Sequence, residues 1–171
     1  MKRKDLMVAT TGIMVMLLSG SGYTFQNEPR GFRDLRWGQR RTPDMVFFGE
    51  DYNAKHYKRP DDELTLGKAK LTGITYNFLD QGYRQSFMAV FIEFDNEESY
   101  NILVNICKEK FGKPTKELMN ELLWVGANAS VRIDYGVLRK YGTLLMGDRR
   151  LSRKYLAERE KQQGKEAEKD W

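Results

Sequence analysis

One cysteine and one histidine are all that the 171 residues supply of the two most versatile metal-binding side chains. A single Cys rules out a disulfide framework within the chain, and one Cys with one His rules out a Cys/His zinc site. There is no G-x-S-x-G elbow for a serine nucleophile. Excess charge is also missing from the body. The formal net charge of +5 comes from the ends, because residues 21–148 carry 18 bases and 18 acids. A neutral body argues against nucleic acid as the partner.

What is present is enough for one core. The length suits a single domain, and 40% hydrophobic with 12% aromatic residues excludes wholesale disorder. The chain opens with Lys2, Arg3 and Lys4, then the uncharged stretch Leu6–Leu18, then Ser19, Gly20, Ser21 and Gly22. That is the order of a secretory signal peptide. Thirteen residues at ~1.5 Å each span about 20 Å, short of a hydrocarbon core of ~30 Å. The expectation is a cleavable signal over 1–22 and a periplasmic or secreted bacterial protein. No stable membrane insertion is expected after cleavage.

Residues 23–43 are polar and rich in Gly, Arg and Pro, and read as an extended arm. Phe32, Leu35 and Trp37 are expected to tuck onto a single α+β domain over 44–148. Within it, Val46–Gly49 and Lys55–Arg59 are short strand candidates around the turn 50–53. Lys70–Leu79 alternates, Asp80-Gln81-Gly82 signals a hairpin, and Gln85–Phe94 is apolar on both faces. Strict alternation puts Met88, Val90, Ile92 and Phe94 on one face and Phe87, Ala89 and Phe91 on the other. Then the period changes. Tyr100, Leu103, Val104, Cys107 and Phe111 form one helical stripe, with Asp95 or Asn96 as cap and Gly112 and Pro114 as terminators. Strands return at Leu122–Val125, Ser130–Tyr135 and Thr143–Met146. Residues 149–171 read as a charged helical tail with a weak seam of Leu151, Tyr155 and Leu156. Short turns imply antiparallel pairing, hence an α+β fold of one main amphipathic helix on an antiparallel sheet. The segment after Trp37-Gly38 echoes the unit that starts at 97, which suggests a tandem helix-plus-strands repeat.

Few residues promise chemistry. His56 reads as a surface residue and Cys107 as a buried, inert thiol. Asp95-x-Glu97-x-Ser99 runs into a helix and lacks the ligand number and glycine bend of a calcium loop, and the acids at 61–63 follow Pro60 and read as a turn. No cofactor is expected. The densest unusual composition is Arg30, Arg33, Arg36, Arg40 and Arg41 with Phe32 and Trp37 between them, a pattern suited to phosphate, anionic lipid or an acidic partner. The competing account pairs those arginines with acids of the body. Arg33, Arg36, Trp37, Arg40, Trp124 and Tyr141 are the expected binding residues, since aromatics and arginine concentrate binding energy.

The segment Gly31-Phe32-Arg33-Asp34-Leu35-Arg36-Trp37-Gly38 resembles the opening of uncharacterised bacterial secreted and periplasmic proteins with a GFRxxxWG start. Lys110-Phe111-Gly112-Lys113-Pro114 and Trp124-x-Gly126 resemble the same group. The resemblance covers most of the mature chain and implies no established activity. In architecture alone the chain is similar to β-lactamase-inhibitor-protein-like envelope modules, which bind other proteins. The expected function is a non-enzymatic exported binding or protein-interaction module of the bacterial envelope, with an envelope protein or small envelope ligand as partner. The alternative is an envelope hydrolase using a carboxylate pair.

Overall fold

The computed structural model describes residues 25–169; the expected signal peptide lies outside them. Two strand pairs of two residues each flank the main body. They are β1 (Gly31–Phe32) with β2 (Leu35–Arg36), and β5 (Thr65–Leu66) with β6 (Ala69–Lys70). The central sheet has eight antiparallel strands. In chain order these are β3 (Val46–Asp51), β4 (Ala54–Lys58), β7 (Gly73–Asp80), β8 (Gln85–Phe94), β9 (Lys116–Leu118), β10 (Glu121–Val125), β11 (Ala129–Gly136) and β12 (Tyr141–Asp148). Helix α1 (Glu97–Phe111) follows β8, and helix α2 (Arg149–Lys169) follows β12.

The spatial order β3-β4-β7-β8-β12-β11-β10-β9 divides into two halves. Each is a four-strand antiparallel meander ending in a helix, and β8 pairs with β12 at the join. The repeated unit is therefore strands followed by helix, a different phase from the helix-first unit expected. The two helices also lie on opposite faces of the sheet.

Under α1 sits the larger core. Leu103, Cys107 and Phe111 of the helix meet Phe78, Val90, Ile92, Trp124, Ile133 and Leu144 of the sheet. The helix starts because Asn96 Oδ1 accepts from the Ser99 amide at 2.8 Å, so Asn96 is the cap and Asp95 is not. It stops at Gly112, whose φ of +77° few other residues adopt readily. The opposite face carries Ala54, Leu79, Met88, Ala89, Phe91 and Leu145, and α2 covers it with Leu151, Tyr155 and Leu156. That seam is short in sequence but buried, with Tyr155 fully enclosed. Asp148 caps α2, taking the Leu151 amide at 2.8 Å.

One irregularity re-sorts the central strand. Register shifts between Asn77 and Phe78, which pair with Ala89 and Phe87, and Met88 is left without an opposite residue. This is a β-bulge. It turns Phe87 toward the α1 core with Val90, Ile92 and Phe94, and sends Met88 and Ala89 together toward α2. Strict alternation placed Met88 and Phe87 the other way round. His56 also differs from expectation. It is 5% exposed, and its Nδ1 lies 2.5 Å from Asn77 Oδ1, the side chain of its cross-strand neighbour.

Candidate ligand-binding site

The arm is fastened to the body at points far apart in sequence. Glu28 places its carboxylate on the turn before β11, accepting the amides of Ala127 (2.7 Å), Asn128 (2.8 Å) and Ala129 (3.1 Å). A Cβ at Gly126 would fall 2.3 Å from the Glu28 carboxyl carbon, so glycine there lets the arm approach. Asn27 Nδ2 donates to the Lys110 carbonyl at 3.1 Å, and Phe25 packs edge-on against Phe111. Trp37 donates its indole N–H to the Pro29 carbonyl at 2.7 Å and lies against Phe87, ring centroids 4.9 Å apart. Phe32 and Leu35 are buried, as the sequence led one to expect.

Fastened in this way, the arm does not close fully on α1. Between them is a cavity of about 520 Å³. Leu144 and Met146 of β12 form part of its lining with Phe32, Leu66, Ile106 and Cys107, while Arg30, Arg33 and Lys110 supply cations. Burial pushes the Cys107 thiol up to about 12, so it lines the cavity as a small apolar group and not as a thiolate. Two residues in the wall, Asn27 (φ 51°) and Arg33 (φ 53°), hold left-handed backbone that non-glycine residues adopt at a cost. Arg33 is committed to Asp62 and to the Glu63 carbonyl at 2.5 Å. Arg30 and Lys110 make no ion pair among the described residues. An apolar cavity of this size with a few convergent charges is the usual form of a small-molecule site.

A second cleft of about 540 Å³, with more polar side chains in its wall, lies on the part of the sheet face that α2 leaves uncovered. Phe91, Arg132, Asp134, Tyr141 and Thr143 line it, beside the exposed loop of Val137 and Leu138. Tyr141 donates to Glu93 Oε1 at 2.6 Å, Thr143 donates to Asp134 Oδ2 at 2.8 Å, and Arg132 reaches both Glu121 (3.1 Å) and Asp134 (3.3 Å). Burial raises the Asp134 carboxyl above the usual range, although the Thr143 hydrogen bond and Arg132 pull the other way. Burial and the Glu93 carboxylate push the Tyr141 phenol up as well.

The six residues singled out from sequence do not converge on one place. Arg33 lines the arm cavity, while Trp37 lines a neighbouring depression with Arg30. Tyr141 stands in the polar cleft, and Arg40 lines a basic groove with Arg41, Tyr83 and Arg84. Arg36 is exposed and unpaired among the described residues. Trp124 is a core residue with no exposed surface, its indole N–H given to the Gly112 carbonyl at 2.9 Å. It does not belong to a contact face, because a strand buried on both sides offers an indole nothing but the core. Among the described residues no group of three His, Cys, Asp or Glu is arranged to hold a metal, and no helix is long and apolar enough to cross a membrane. Sequence reasoning missed Ile106, Lys110 and Leu66, since only tertiary packing sets the arm beside α1. The run of arginines in the arm was the one available signal.

No family model, curated protein or solved structure matches the chain. The reading of the site therefore rests on its geometry.

Proposed function

We propose that this chain is an exported, non-enzymatic binding module of the bacterial envelope, and that it holds a small amphiphile with an anionic head in the cavity between the arm and α1. The observation that carries this is the pairing of an apolar interior, lined by Leu66, Ile106, Leu144 and Met146, with two cations that make no ion pair among the described residues, Arg30 and Lys110, while the one carboxylate in the wall, Glu28, is taken up by the amides of 127–129. An acyl or aryl body gains from leaving water at ~25 cal/mol per Å² of apolar surface buried. A carboxylate or phosphate head gains charge-assisted hydrogen bonds from Arg30. Export is supported by the basic, apolar and small-residue order of residues 1–22.

Titration with dodecanoate and with dodecanol tests the reading. Dodecanoate is expected to bind more tightly than dodecanol. Arg30→Ser is expected to weaken dodecanoate by about tenfold, the loss of one charge-assisted contact, and to leave dodecanol nearly unchanged. Ile106→Trp, which fills the cavity, is expected to abolish both. Equal binding of both compounds by all three proteins would sink the proposal.

A second reading keeps one specific support. Asp134 is a carboxylate of raised proton affinity in the wall of the second cleft, and Glu93 and Glu121 are bonded to its lining residues Tyr141 and Arg132, the ingredients of general acid catalysis on envelope carbohydrate or peptide. Hydrolysis of cell-wall fragments that disappears in Asp134→Asn, with the fold intact, is the result this reading requires.

A further inference from the structure

The edge strand β3 carries three apolar residues in a row with about half their surface in water: Val46 (55%), Phe47 (52%) and Phe48 (53%). Soluble proteins avoid such edges or cover them. The backbone here is a poor template for another strand, because register shifts between Phe47 and Gly49 and leaves Phe48 with no residue opposite it. Partnership by strand addition is thus blunted while the side chains stay available.

Cations surround those side chains. Lys58 Nζ lies 3.9 Å from the Phe48 ring centroid. Phe47 meets Tyr57 edge-on at 5.8 Å, and the Arg41 guanidinium lies 5.5 Å from that same Tyr57 ring. The Tyr57 hydroxyl reaches Gln85 at 2.9 Å. Gln85 in turn lines the basic groove of Arg40, Arg41 and Arg84, where Tyr83 is 84% exposed. Nearby acids are mostly spent: Asp34 and Asp44 on Arg59, and Asp80 on Lys55. Glu50 is the exposed exception on β3 itself.

We propose that this edge is a docking surface for an anionic lipid bilayer, with Val46, Phe47 and Phe48 entering the headgroup region and Arg40, Arg41 and Lys58 meeting lipid phosphates. Apolar side chains set among cations suit that interface, where each element alone binds weakly. A second copy of the chain is the poorer occupant, since it would bring like charges together across a bulged edge. The contact is peripheral. It is also independent of the arm cavity, which uses none of these residues.

The test is co-sedimentation of the full chain, as isolated from its native envelope, with vesicles of phosphatidylcholine alone and of equal parts phosphatidylcholine and phosphatidylglycerol. Binding is expected only to the anionic vesicles, and it should weaken as salt is raised. Phe47→Ser with Phe48→Ser is expected to lower the partition coefficient about tenfold or more. Lys58→Gln should lower it less, and the cavity variant Ile106→Trp not at all. Equal binding to neutral vesicles, or no loss in the double Phe variant with near-UV dichroism unchanged, overturns the proposal. A stable dimer in sedimentation velocity that the double Phe variant dissolves also overturns it, in favour of self-association.

Discussion

Tyr155, midway along the apolar seam of α2, donates its hydroxyl to Asp51 Oδ2 at 2.8 Å, joining the last helix to the first hairpin of the sheet. The pair is flanked by Asn53 bonded to Glu158, and by Arg159 over the Tyr52 ring at 5.3 Å. A helix that looks like a solvated tail is therefore part of the fold. Tyr155→Phe should cost about 1 kcal/mol, the net worth of one hydrogen bond, and Tyr155→Ala ~3–5 kcal/mol through the cavity it leaves. Urea unfolding of both variants measures the difference.

Alkaline pH should expose the buried phenols. Tyr76, Tyr141 and Tyr155 are all raised, first by burial and then by neighbouring carboxylates. A folded-state value above the unfolded one gives stability that is complete below the unfolded value of ~10 and is lost as pH rises through the folded one. Thermal midpoints should hold steady toward pH 10 and fall beyond it. Tyrosinate absorbance should show at least three phenols titrating late, together with unfolding. Normal titration of Tyr76, Tyr141 and Tyr155 in the folded protein would contradict this.

Asp134 gives a test of the same sign at the acid end of the scale. Its raised carboxyl means that the folded state prefers the protonated form. The neutral form then stabilises the fold below the unfolded value of ~3.9, and that contribution is lost as pH rises through the folded value. Asp134→Asn, which keeps an acceptor for Thr143, should raise stability at pH 7, with the gain vanishing below about pH 4. A loss at pH 7 would show Arg132 outweighing desolvation.

Trp124→Ala should unfold or severely destabilise the protein, by ~3–5 kcal/mol, and so cannot report on binding. Trp37→Ala should be milder, because its ring is only partly buried and its losses are one stack on Phe87 and one hydrogen bond to Pro29. Comparative denaturation of the two variants checks the order.

Local pattern carried much of this architecture. The stripe from Tyr100 to Phe111 forms α1, and Gln85–Phe94 is the strand that the two faces share. Non-local events were hidden. The bulge at Met88 depends on which strand lies opposite, so alternation alone misassigned Phe87. Strand β9, with every residue exposed, has no apolar signature. His56 is buried through the side chain of Asn77, a cross-strand partner that no spacing along the sequence discloses. The site was legible only in outline. The arginines of the arm stood out, but the spending of Arg33 on Asp62 and the freedom of Arg30 are settled by the fold.

Methyl NMR of the protein during titration with dodecanoate tests the central claim most directly. The account predicts that Ile106, Leu66, Leu144 and Met146 shift together, and that Arg30→Ser moves the midpoint to higher concentration. Silence at those four residues, or shifts gathered around Leu145 on the opposite sheet face, would contradict it.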